Sequence, residues 1–500
     1  MDFNKLQLIA EEIDKYAFSN DKNSLENKLI ELEKLNFEDS SLQSITYYFI
    51  GNIWSSLRRI NHIGENSNIW KIEQKELFNE IYYYRKSINE EGFDNLQLEY
   101  KLYIYTNLAN AFSHYGRTIN ALKYYDKALS LFPNFEMALV NKAECLRSYS
   151  RLSYDWSHKE IFLKKSYDIY QVGAEVLYNI LQEREDEYYS NILSNTMLDI
   201  FEIEEVLGKE LLAQDYDLNS YPLRKYKNEI AYREWVLKNT LFLNPMNDLG
   251  LNSIATHDPL HMPDMKIEIE VGFPKYITHF NQMKQEYITY RHLLFEGINS
   301  FTKKFYDKDT HIVDDYDYNL YDINIEKVKL AFKSFYSLFD KIAFFINDYF
   351  VLGLDERKVD FRKVWYVKND INSKFDNFEN LALRGLFLIS KDLFFNDKDE
   401  NSKEYIKVLE PDAKEINKIR NHLEHKFIMI KLLDVENFEQ VKDRERCFYI
   451  IEDELIKKTL HLAQLVREAL IYLSFSIHIE EKKNSDKEDI FFPIELSILK

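Results

Sequence analysis

Apolar side chains recur every three to four residues over long stretches of this chain, the spacing of one buried helix face. From 102 to 134 the pattern describes two helices. Leu108, Ala109 and Phe112 lie on the first, Gly116 marks a turn, Ala121, Tyr125 and Ala128 lie on the second, and Pro133 follows. Small residues let the helices approach, aromatic rings fill the space between them, and glycine and proline end them. Ala138, Leu139, Ala143 and Leu146 continue in register, and Ile50, Gly51 and Trp54 repeat the small-then-aromatic spacing upstream. Further helices are expected around 160–181 and 191–212, and the turn-forming run 215–222 reads as a linker. The tyrosine runs Tyr82-Tyr83-Tyr84 and Tyr188-Tyr189 are expected to fill gaps between helices rather than to line a binding face.

The second half has the same period. An aromatic helix covers 335–349, and Ile416, Ile419, Leu423, Phe427 and Ile430 form the stripe of a single helix continuing to 430. Asp412 and Glu415 are spaced as its capping box. The stretch 481–489 reads as a charged surface tether. The irregular stretch 252–264 holds His257, Asp258, His261 and Asp264. Those residue types suit a metal, but their spacing fixes neither ligand number nor geometry, so a packed loop is expected and no metal site is assigned.

Composition narrows the picture. With 11 Gly and 8 Pro in 500 residues, breakers are scarce, and the expected fold is all-α. A length of 500 residues accommodates two domains, placed at 1–220 and 221–500. The net charge of −19 argues against a general nucleic-acid coat, although a local basic cleft is compatible with it. Cys145 and Cys447 are far apart in helical, apolar settings and are expected to be buried free thiols. The acidic start is unlike a signal peptide, and no apolar run approaches the ~20 residues that span a bilayer. A cytoplasmic protein without membrane association is therefore expected.

One segment carries candidate chemistry: Arg420-Asn421-His422-Leu423-Glu424-His425. Arginine holds a phosphate and neutralises developing charge, and histidine moves protons near neutral pH. Where the 2′-hydroxyl of RNA is the nucleophile, these groups suffice to cleave a phosphodiester without a metal or cofactor. The plain structural alternative makes Arg420 a surface cation bonded to Glu424, four residues on. His422 lies near the apolar stripe and is expected to pack rather than to react. On a straight helix Arg420 and His425 sit about 140° apart around the axis. Arg420 reaches round, the helix is irregular, or the pair works across a dimer, and the last is preferred.

Two resemblances organise these observations. The pattern from 102 to 134 resembles the 34-residue tetratricopeptide (TPR) repeat, so 1–220 is expected to form an irregular TPR-like solenoid. Arg420-Asn421-His422-x-x-His425 resembles the signature of the HEPN superfamily, in which an arginine is followed by a histidine after four to six residues. The run 240–249 and the aromatic helix 335–349 resemble the LA2681-like HEPN subgroup. The likeness implies a helical bundle that dimerises so that two motifs form one site. It also implies Arg420 and His425 as the catalytic pair, with Asn421 orienting them, and Asp340 or Lys341 supporting Arg420 from a preceding helix. The implied activity is a metal-independent endoribonuclease leaving 2′,3′-cyclic phosphate and 5′-hydroxyl ends, regulated through the TPR-like region in a stress or anti-phage toxin role. Two other readings stay open: a non-catalytic scaffold binding a peptide or protein on the TPR-like region, and a nucleotide-binding HEPN protein without turnover. A basic rim around Arg420 favours RNA, and an acidic rim opposes it.

Overall fold

The computed structural model describes residues 3–62, 70–265, 275–300, 305–310, 312, 319–368, 370–375, 378–393, 413–432 and 447–485. The described residues fall into two compact units, one of 3–216 with 371–392, the other of 217–370 with 393 and 413–485.

Among the described residues, the first unit begins with nine α-helices: α1 (Phe3–Phe18), α2 (Lys22–Glu33), α3 (Ser40–Asn61), α4 (Lys75–Ile88), α5 (Leu98–Tyr115), α6 (Thr118–Leu131), α7 (Glu136–Leu152), α8 (Trp156–Glu183) and α9 (Glu187–Ala213). From α3 to α8, each packs on the helix before and the helix after it in sequence. Leu108, Ala109, Phe112, Ala121, Tyr125 and Ala128 are all buried between α5 and α6, as their spacing predicts. Gly116 ends α5 in the left-handed region, at φ 99°. Tyr83 and Tyr84 fill the interior, whereas Tyr188 is 60% exposed. Cys145 is buried and Cys447 half-buried, both as free thiols.

A later segment completes this unit. Helix α14 (Leu381–Leu393) is apolar on nearly every side, with Leu383, Leu386, Phe387, Leu388 and Ile389 buried. Such a helix needs cover all round. Phe387 packs on Phe78, and the Arg384 guanidinium lies 4.5 Å over the Tyr115 ring. The approach to α5 is so close that a Cβ on Gly116 would lie 2.1 Å from the Leu381 carbonyl oxygen. At the end of α14, the buried Asp392 carboxylate accepts from Arg85 at 2.6 and 3.1 Å and from Arg117. Burial alone would raise the Asp392 pKa, but the two guanidiniums hold it below the ordinary carboxylate value.

The second unit contains α10 (Lys227–Lys238), α11 (Lys275–Asn299), α12 (Phe305–Lys308), α13 (Ile323–Tyr349), α15 (Ala413–His425) and α16 (Glu452–Ser485). Helices α11, α13 and α16 pack on one another, and α15 lies against α13. Helix α16 is long and apolar enough to cross a membrane by length and composition, yet 83% of its apolar window is buried, as in a core helix. The expected tether beginning at Glu481 is corrected in its first part. Residues 481–485 continue α16, and buried Glu481 accepts from the Tyr349 hydroxyl at 2.6 Å. The remainder of that stretch, and Asp412 of the expected capping box, lie outside the described residues.

The single helix expected through Ile430 is also corrected. Helix α15 stops at His425, and Phe427–Lys431 form a strand, β3, paired in parallel with Cys447–Ile451, β4. Two short strands precede them in sequence, β1 (Tyr366–Val367) and β2 (Asp370–Ile371). The cause lies in the side chains: after Leu423 the buried positions switch to a period of two at Ile428 and Ile430, leaving Phe427 67% exposed. β-Branched isoleucines suit a pleated surface better than a helix interior.

Removing one partner of a buried ion pair strands the other charge, at a cost of about 3–5 kcal/mol. Asp392→Ala is therefore expected to destabilise the first unit by that order in urea unfolding. Asp126→Ala, which removes the surface partner of Lys142, is expected to change stability by less than about 1 kcal/mol.

Candidate active site at the end of α15

Ala413, Ile416, Ile419 and His422 form the buried face of α15. That fixes the helix rotation and leaves Arg420, Glu424 and His425 toward solvent. Side-chain exposure is 32% for Arg420, 23% for Glu424 and 70% for His425. The Arg420 guanidinium lies 5.3 Å from the centre of the buried Tyr336 ring on α13. Its Nη1 donates to Asn421 Oδ1 at 3.3 Å, and its Nη2 lies 3.0 Å from Glu424 Oε2. Its Nε is buried without a hydrogen-bond acceptor. His425 Nε2 lies 3.6 Å from the same Glu424 Oε2.

The angular separation of Arg420 and His425 is thus bridged by a carboxylate between them. The ion pair that the plain reading assigns to Arg420 is present, and it also engages the histidine. His422 is packed inward. Its Nδ1 donates to the Lys418 carbonyl oxygen at 2.7 Å, and its ring sits 5.5 Å from that of Phe448.

Of the two residues expected to support Arg420, the structure brings one close. Asp340 lies on α13, one turn beyond Tyr336, within electrostatic reach of Arg420. Burial raises its pKa to about 6, with Asp360 and Glu424 adding to the rise and the Phe361 amide and Arg420 opposing it. Lys341 points elsewhere. Its ammonium lies 2.5 and 2.7 Å from the carboxylate oxygens of Glu286 on α11. It lines a cavity of about 340 Å³ with Lys275, His279 and Phe344.

Three participants were not singled out from the sequence. Tyr336 precedes Asp340 by four residues and so shares its helix face, a relation the spacing contains. Burial raises its hydroxyl pKa, with Arg420 opposing and Asp340, Asp360 and Glu424 reinforcing. Asp360 comes from an irregular segment, where it accepts from the amides of Arg362 and Lys363, and no periodic pattern announces it. Glu424 was visible only as a helix ion-pair partner. Together, Asp340, Asp360 and Glu424 set three carboxylates around Arg420, the acidic rim that counts against RNA in the reading of the sequence.

The His/Asp stretch is taken up structurally. Asp258 accepts from Arg291 at 2.8 Å twice and from the Leu243 amide at 2.7 Å, while the His257 ring stacks on Tyr221. Among the described residues, no group of three or more His, Cys, Asp and Glu is placed to hold a metal ion.

No curated protein and no solved structure matches the chain. A family match does exist, and it covers α11, α13, α15 and most of α16, with Arg420, Asn421 and His425 inside it. Residues 267–480 match the family model described as LA2681-like HEPN, and the likeness to that family lies in this part of the chain.

Proposed function

We propose that the HEPN domain is a metal-independent endoribonuclease whose reacting groups are Arg420 and His425, with Asn421 orienting the guanidinium. One observation carries this reading: a solvent-reaching guanidinium and an exposed imidazole lie on one turn of α15 and share a single anionic oxygen. A group that binds one oxyanion through both side chains has the arrangement a scissile phosphate needs. In the reaction, an imidazole takes the proton of the 2′-hydroxyl, whose oxygen attacks phosphorus. Arg420 holds the charge that builds on the non-bridging oxygens. A protonated imidazole returns a proton to the departing 5′-oxygen, leaving a 2′,3′-cyclic phosphate and a 5′-hydroxyl. Two imidazoles in opposite protonation states do this most directly, and a second copy of the chain across a dimer supplies the second. The first unit then regulates access, in a stress or anti-phage toxin role.

The scaffold reading has support of its own. Met197, Leu198 and Phe201 on α9 are 52%, 63% and 57% exposed, an apolar face of the sort that protein partners cover.

In the presence of EDTA, the purified protein is expected to convert single-stranded RNA to fragments with 2′,3′-cyclic phosphate ends. Arg420→Ala and His425→Ala are each expected to lower the rate by at least about 10²-fold in protein whose circular dichroism shows the fold retained. Absence of cleavage by the unaltered protein would discard the reading.

Asp340 adds a pH dependence of stability. Its pKa is 3.8 when unfolded and about 6 when folded, so between these values the folded chain binds more protons and stability falls as pH rises. Asp340→Asn keeps an oxygen for the Phe361 amide and removes the charge. It is expected to stabilise the protein by about 1–2 kcal/mol at pH 8, after allowance for partial solvent screening, and by nothing near pH 4. Urea unfolding at both pH values measures this.

A further inference from the structure

We propose that Glu424 occupies the phosphate position between Arg420 and His425 in the resting protein, and that an RNA phosphate enters by displacing it. The inference rests on the nuclease reading and specifies how its substrate site opens. A guanidinium offers two edges for bidentate binding, Nη1 with Nη2 and Nε with Nη2, and Nη2 belongs to both. Glu424 Oε2 sits 3.0 Å from Nη2, so it takes up one N–H of the nitrogen that both edges share and half-blocks the edge it faces. The other teeth do not compensate. Nη1 is turned to Asn421 Oδ1, and Nε is buried with no acceptor at all.

The same Oε2 lies 3.6 Å from His425 Nε2, where the 2′- or 5′-oxygen of a bound strand would meet the imidazole. A phosphate and this carboxylate are both anionic and compete for one place, with Asp340 and Asp360 already adding negative charge nearby. Glu424 is able to leave. It sits in the last turn of α15 and is partly exposed, and among the described residues its ion-pair partners are Arg420 and His425. No backbone hydrogen bond of the helix depends on its side chain. The acidic surroundings of Arg420 thereby acquire a role, because they raise the threshold for a weakly held anion while a strand contacting the site at several phosphates exceeds it.

The experiment compares binding in the full chain, using inorganic phosphate and a 2′-O-methyl oligoribonucleotide, which lacks the nucleophile and cannot be cleaved. Glu424→Gln keeps the side-chain size and removes the charge. It is expected to tighten oligonucleotide binding by about 3–10-fold and to tighten phosphate binding in the same direction. Glu415→Gln, on the same helix but paired with Lys458 at 2.9 Å, is expected to leave both affinities unchanged. The gain is expected to vanish when Glu424→Gln is combined with Arg420→Ala, because the competition is for the guanidinium. Unchanged or weaker binding by Glu424→Gln overturns the proposal, as does a gain that persists in the Arg420→Ala background. Tighter binding with no cleavage by any variant leaves the exchange standing and removes the nuclease reading. Cleavage by the unaltered protein without tighter binding by Glu424→Gln does the reverse.

Discussion

The second unit depends on two buried arginines that hold an otherwise irregular segment. Arg291 from α11 donates to the Leu241 carbonyl oxygen and bidentately to Asp258. Arg467 from α16 donates to the carbonyl oxygens of Phe242 and Asn244 and pairs with Asp248 at 2.7 Å. Each guanidinium is about 99% buried, at 1% residue exposure. Leaving such a donor bare would cost several kcal/mol, so every tooth of the fork has to find an oxygen. The backbone oxygens come from Leu241, Phe242 and Asn244, just before the short 3-10 turn Pro245–Leu249. The run from Thr240 to Leu249 is therefore held from two core helices although it contains no α-helix of its own. It joins α11 to α16, and those helices in turn pack on α13, against which α15 rests.

That dependence explains what the sequence disclosed and what it withheld. Helix faces were legible wherever burial alone decides, as at Leu108, Phe112 and Tyr125, since a 3.6-residue period records one buried side. The helix carrying Arg420 was legible for the same reason, through Ile416 and Ile419. Its end was not. Leu423, Phe427 and Ile430 satisfy a helical stripe on paper, but a parallel partner strand 20 residues later claims Ile428 and Ile430 instead, and local spacing contains no trace of that partner. Polar relations across elements were the least legible. Asp360 reaches the site from a segment without periodicity, and Lys341 prefers Glu286 on a helix that sequence adjacency to Asp340 does not reveal.

The candidate site shows the same division. Arg420, Asn421 and His425 were legible as a motif because their chemistry is local to six residues. Their electrostatic setting was not, because it is assembled from α13, α15 and the segment at Asp360. A stretch of backbone can advertise a guanidinium and an imidazole. Whether carboxylates surround them is decided by tertiary packing, and here Asp340 and Asp360 come from outside the motif.

The burial of Asp392 against Arg85 and Arg117 bears on how such a chain can be divided or recombined. The family match runs from 267 to 480, yet α14, inside that interval, packs with the amino-terminal helices. Exchanging the matched stretch for a distant relative's as a cassette would remove the carboxylate that neutralises two interior cations contributed by the other segment. Gene fusion or domain shuffling at residue 220 is therefore expected to cost stability unless the incoming piece brings an equivalent acid. One carboxylate in the later segment thus sets what the earlier helices require of any replacement.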